Sequence, residues 1–337
     1  MISSASDNAY QAARRRAAFI DRSNRGRIVV SGRDRASYLQ GLLTNDITAL
    51  KPGEGCYSAY LTPQGRMITD LFAYELGDVM LLDVPREVKD TLLARLDQFI
   101  FTEDVQLGDA TETFAEIAIV GPEAARILAG VLDAGSSDRL AALPEHGNFR
   151  GHIGGRSAIV TRVMDTGEAG FGVYVEHPPA AALESRLEAA GAIALSAETA
   201  DAIRIEAGVP MFHRDMDEET IPLEAGIQSR AISMTKGCYV GQEVIIRVLH
   251  RGHGRVAKKL VGVLLDGEAV PPSGAVARAG DREVGHVTSS VWSPALNRPI
   301  ALAYLQRDFV TPGMTVSVDG SRAVVTELPF VHGTGQL

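Results

Sequence analysis

Only two cysteines, Cys56 and Cys238, occur in 337 residues. That scarcity excludes a disulfide framework and fits a reducing compartment. Long apolar runs are missing as well, since nothing approaches the ~18 consecutive apolar residues of a membrane span. Positions 1–10 are polar and have no apolar h-region, which argues against a secretory signal. Asp7 and Asp21 argue against a transit peptide around Arg14-Arg15-Arg16. A cytoplasmic protein without membrane contact is the expectation. A basic excess is also absent: the formal net charge of −9 argues against direct nucleic-acid binding. No complete P-loop or dinucleotide fingerprint is present. His213-Arg214-Asp215 imitates a kinase triplet but lacks the rest of the kinase set. The single tryptophan, Trp292, reads as core or rim packing.

What remains is a globular composition, 45% hydrophobic and 22% charged, long enough for two or three domains. Three zones are expected, at 10–132, 133–249 and 252–330. In the first, strand-like runs at 27–31, 56–61, 67–75 and 79–84 alternate with helical spacing, including Val88, Leu92, Leu96 and Phe99. Ser31 and Asp34 read as a capping box for a helix through Tyr38 and Leu39. This alternation predicts an α+β unit of the split-βαβ, ferredoxin-like kind. The second zone reads as strands at 158–164 and 172–176 and two helices, one from Pro179 and one after Ser196. The third carries turns at Asp266-Gly267, Gly280-Asp281 and Asp319-Gly320, as a small β-barrel would.

The run Lys236-Gly237-Cys238-Tyr239-Val240-Gly241-Gln242-Glu243 concentrates chemistry. A thiol beside an ammonium has its thiolate favoured, and flanking glycines allow tight turns or close ligand approach. The alternative is an inert small hydrophobe at a turn. Cys238, His250 and His253 match no standard zinc spacing, so no metal is expected. Between Glu243 and Asp266 no acid occurs, while Arg247, Arg251, Arg255, Lys258 and Lys259 do. Such a stretch either receives a small anion or acidic partner, or is a solvated strand edge guarded by lysines. Glu206, in Arg204-Ile205-Glu206-Ala207-Gly208, is by its residues alone a solvated acid near a helix end.

The Lys236–Glu243 run resembles the K-G-C-[FY]-x-G-Q-E signature of YgfZ-type folate-binding proteins, a branch of the glycine-cleavage T-protein superfamily. Leu39-Gln40-Gly41-Leu42-Leu43-Thr44-Asn45-Asp46 and Gly285-His286-Val287-Thr288-Ser289 are similar to the family's opening and barrel segments. The resemblance implies two interleaved α/β domains plus a C-terminal barrel, arranged as a ring around a folate channel. It implies a monomer that binds tetrahydrofolate and meets iron–sulfur client or assembly proteins, indirectly supporting tRNA modification. Cys238 would be the working thiol with Lys236 beside it. Glu206 would accept from the pterin edge, with Arg204, Tyr239, Gln242 and Arg247 as further folate contacts.

One segment departs from the enzymes of the superfamily. They carry G-G-x-x-D-D with the first acid held catalytic, and this chain has Gly65-Arg66-Met67-Ile68-Thr69-Asp70. A threonine hydroxyl supplies no negative charge. The departure weighs against aminomethyl transfer and leaves Asp70 as a strand-face residue. The competing readings are a folate-dependent aminomethyltransferase or N-demethylase, and a pure binding module with a structural Cys238.

Overall fold

The computed structural model describes residues 4–133, 137–164, 166–176, 180–250 and 254–333. After a helix at Ser4–Arg15, the first part of the chain supplies seven strands: β1 (Ala18–Asp21), β2 (Gly26–Ser31), β3 (Gly55–Leu61), β4 (Met67–Glu75), β5 (Met80–Val84), β6 (Gln106–Asp109) and β7 (Phe114–Val120). The middle supplies β8 (Asn148–Ile153), β9 (Arg156–Val163), β10 (Gly170–Glu176) and β11 (Ile193–Ala194). The last part supplies β12 (Lys258–Leu265), β13 (Val276–Ala279), β14 (Arg282–Ser293), β15 (Arg298–Gln306), β16 (Thr315–Val318) and β17 (Ser321–Thr326).

These strands form two open sheets and a closed barrel. The five-stranded sheet has the order β3-β4-β5-β2-β6 and the six-stranded sheet β11-β1-β7-β10-β9-β8. The barrel closes as β12-β15-β14-β13-β16-β17. The α+β class with a C-terminal barrel is therefore the observed architecture. A boundary at 132/133 falls inside the six-stranded sheet, because β1 and β7 pair there with β10 and β11. Sequence proximity could not show this, since the pairing is nonlocal.

Local signals explain most elements. On β7, Ala115, Ile117 and Ile119 alternate into one apolar core, leaving Glu116 on the other face. Ser196 caps the helix Ala197–Glu206 by accepting from the Thr199 backbone N–H at 3.1 Å. Asp319 and Gly320, both at positive φ, turn β16 into β17. Asp266-Gly267 makes no such hairpin, because β12 pairs with β15 and β17 rather than with β13. The expected capping box at Ser31 and Asp34 is also not formed. Asp34 instead accepts from the Asp104 backbone N–H at 2.8 Å, across a loop. The helix Gln242–His250 carried no sequence expectation. No helix among the described residues is long and apolar enough to cross a membrane.

Candidate active site

Strand alternation on β4 sorts the Thr69-Asp70 pair. Thr69 pairs with Tyr60 and shares its face with Leu71 and Ala73, which belong to the core of the five-stranded sheet. It is fully buried, and its hydroxyl donates to the Asp70 carbonyl at 2.8 Å. Asp70 points to the opposite face with Phe72 and Tyr74, and it is partly exposed.

On that face, side chains distant in sequence gather around Asp70. The Tyr57 hydroxyl donates to Asp70 Oδ2 at 2.7 Å. The Tyr57 and Phe72 rings lie 5.2 Å apart, and the His146 ring lies 5.4 Å from Phe72. Each aromatic ring carries a guanidinium: Arg230 stands over Tyr57 at 5.3 Å and Arg25 over Phe72 at 5.7 Å. Burial pushes the Asp70 carboxyl above its ordinary range, opposed by the Tyr57 hydrogen bond and by the charges of Arg25 and Arg230. The result is a carboxyl group with raised proton affinity beside an aromatic surface flanked by cations.

Glu206 lies elsewhere. It is fully buried, and both carboxylate oxygens are taken by internal donors. One oxygen accepts from Tyr10 at 2.7 Å and from Arg14, the other from Ser293 and, at 3.3 Å, from the Ala295 N–H. Glu206, expected at the pterin edge, here joins the first helix to the barrel. Arg204 is likewise committed. It donates to Asp201 at 2.8 Å, to Asp215 at 2.7 Å, to the Val209 carbonyl at 2.6 Å and to Ser289 at 3.0 Å.

The Lys236–Glu243 run is a clasp. Lys236 Nζ donates to the carbonyls of Gln40, Leu43 and Asn45 at 2.7, 2.6 and 2.9 Å, which uses all three of its protons. Burial pushes its ammonium down to about 8. Lys236, expected beside the Cys238 thiol, faces the 40–45 loop with its ammonium and lies over the Tyr239 ring at 5.1 Å, while Cys238 is exposed. Tyr239 is buried in the apolar cluster that holds Leu61, Met67 and Ile245. Gly241 adopts positive φ, and a Cβ there would stand 2.5 Å from the Thr62 carbonyl. Gln242 opens the helix Gln242–His250, and Arg247 pairs with Glu243 on that helix's exposed face.

The cationic stretch is divided by its own strand. Lys258 and Lys259, adjacent on β12, line separate barrel concavities of about 330 and 390 Å³, the second shared with Arg255 and Arg307. Arg251 and His253 lie outside the described residues. Neither concavity includes Asp70. Among the described residues, no three His, Cys, Asp or Glu side chains are grouped to hold a metal. Tyr57, Phe72, Arg25 and Arg230 were missed by the sequence reading. The step of two from Asp70 to Phe72 was a usable signal, whereas the cross-strand partner Tyr57 and the two arginines were not.

Comparison with known proteins gives a consistent picture. Residues 2–236 match the model of the GCVT N-terminal domain, and residues 258–332 match the glycine cleavage T-protein C-terminal barrel domain. An aminomethyltransferase of Rubrobacter xylanophilus is 36% identical over 88% of this chain and 78% of its own. One from Streptomyces coelicolor is 33% identical over 95% and 88%. The crystal structure of glycine cleavage system aminomethyltransferase T from Bartonella henselae has the same fold, with a TM-score of 0.87 over 97% of this chain and 89% of that one, at 23% identity. These relatives overturn the expected accessory role in iron–sulfur assembly and tRNA modification: they are named as aminomethyltransferases, the reading held above as its alternative.

Proposed function

Because the chain belongs to the glycine cleavage T-protein family, we propose that it is a folate-dependent aminomethyltransferase that passes a one-carbon unit from an amine donor to tetrahydrofolate. The observation that carries this reading is the Asp70 face: a partly exposed carboxyl group held by Tyr57 and bordered by aromatic rings and two guanidiniums. The substitution at Thr69 does not touch that face, since the threonine points into the core.

The residues present fit a folate. Phe72, partly exposed, offers ring surface to a flat heteroaromatic ligand, and the buried Tyr57 ring packs behind it. Arg230 is exposed and makes no ion pair among the described residues, which leaves it open to a ligand carboxylate. When bound, tetrahydrofolate supplies the amine that receives the one-carbon unit. Asp70 as a carboxylate steadies the positive charge developing on the donor nitrogen. Burial raises the proton affinity of this carboxyl group above that of an ordinary aspartate. Tyr57 fixes the carboxyl rotamer.

The test is methylene-tetrahydrofolate formation by the purified protein supplied with tetrahydrofolate and aminomethyl or N-methyl donors. Turnover that disappears in Asp70→Asn supports the reading. No turnover with any donor, or turnover indifferent to Asp70→Asn, sinks it.

A further inference from the structure

Arg25 reaches both the Asp70 face and the buried seam between the two sheets. Its Nε donates to Asp83 Oδ1, and its Nη2 donates to the Asp83 carbonyl at 3.4 Å. From the six-stranded sheet, the Tyr174 hydroxyl donates to Asp83 Oδ2 at 2.8 Å. Asp83 is thus gripped from both sheets, and Arg25 is gripped by Asp83. The seam also holds Arg22, whose Nε stands 3.6 Å from Glu116 on β7. At its other side the Arg25 guanidinium lies over Phe72, which touches Tyr57, the donor to Asp70. The Arg25 side chain is 22% exposed while that of Asp83 is 1% exposed, so the pair runs from the interior to the open face.

We infer that Arg25 is a positioning residue for Asp70: anchored by Asp83 and Tyr174, it fixes the Phe72–Tyr57 surface and holds a positive charge beside the carboxyl group. The inference rests on the reading of Asp70 as the acid of the site. A loosely held arginine would swing out to water and screen its own charge, whereas one locked by a buried carboxylate cannot. The arrangement makes the chemistry of the open face depend on the docking of the two sheets. Loss of Tyr174 or Asp83, both buried in the seam, would loosen the charge next to Asp70.

The test reads Asp70 directly. Its side-chain carboxyl is followed by ¹³C NMR through a pH titration of the full chain, in the native protein, Arg25→Lys, Arg25→Met and the double variant Arg25→Met/Asp83→Asn. The double variant removes both charges of the pair, so no buried charge is left unpaired if the single variant fails to fold. Removing a nearby cation favours the neutral acid, so the Asp70 midpoint should move upward in Arg25→Met and in the double variant and stay near the native value in Arg25→Lys. The low-pH limb of the rate profile should move with it. An unchanged midpoint in a folded Arg25→Met or double variant overturns the inference. A midpoint that moves as expected while turnover ignores it supports the hold of Arg25 on Asp70 and instead sinks the role given to Asp70.

Discussion

Thr69 and Asp70 are neighbours in the chain and face opposite sides of the same strand. The Thr69 hydroxyl is fully buried and donates to the Asp70 carbonyl at 2.8 Å, while the Asp70 carboxyl looks out and accepts from Tyr57 at 2.7 Å. Only one of two consecutive strand residues can serve an open face. The position that lost its acid is the one turned inward.

Asp70→Asn should therefore lower kcat by about 10²- to 10⁴-fold, the range associated with a single acid–base group, with little change in folate affinity. Thr69→Val should leave kcat within a few-fold of native. Steady-state kinetics on both variants decides the matter, and a Thr69→Val enzyme as crippled as Asp70→Asn would reverse the assignment. Tyr57→Phe removes a hydrogen bond to the charged form, so the low-pH limb of the rate profile should shift upward.

Glu206→Gln should act on stability rather than on ligand affinity. The amide replaces one acceptor oxygen of a fully buried carboxylate that serves Tyr10, Arg14, Ser293 and Ala295. A loss of about 3 kcal/mol in unfolding free energy is expected, because Arg14 then loses a buried partner, although Glu168 remains to it. Calorimetric titration with tetrahydrofolate below the melting transition should give the native affinity. A weakened folate complex with unchanged stability would return Glu206 to the ligand site.

Lys236 and Cys238, two residues apart in the same motif, should separate cleanly. Lys236→Met leaves the carbonyls of Gln40, Leu43 and Asn45 without their donor and should cost about 2–4 kcal/mol of stability. Cys238→Ser changes an exposed side chain and should stay within about 0.5 kcal/mol of native, with turnover intact. Denaturant melts and the folate assay check both halves. Loss of turnover in a stable Cys238→Ser protein would restore a working thiol.

Glu116 should give the protein an alkaline weakness. Neither of its buried oxygens accepts a hydrogen bond, and burial raises its carboxyl from 4.5 to about 8. Between those values the folded state keeps a proton that the unfolded chain has released. This contribution to stability is therefore complete below about 4.5 and is lost progressively as pH rises to about 8. Glu116→Gln cannot ionise and should flatten the fall over that window. Parallel unfolding curves for the two proteins across it would remove Glu116 as the cause.

The sequence by itself determined the α+β class, the terminal barrel and the positions of six strands, β2 to β5, β9 and β10. These follow from local periodicity and turn chemistry, which a linear reading detects. Sequence resemblance also reached the superfamily and its folate, although the run from Lys236 to Glu243 pointed to a branch that the relatives do not support. Tertiary structure decided what those motif residues do. The resemblance implies ligand contacts at Arg204 and Glu206 and a working role for Lys236, yet in the fold their donors and acceptors bond to partners up to about two hundred positions away. The Asp70 face is the converse case. Tyr57 joins it by cross-strand register, Phe72 by alternation, Arg25 by lying over Phe72 on β4, and Arg230 by lying over Tyr57 on β3. Whether a polar side chain is available to a ligand depends on what else has already bonded to it, and that is settled only when the chain has folded.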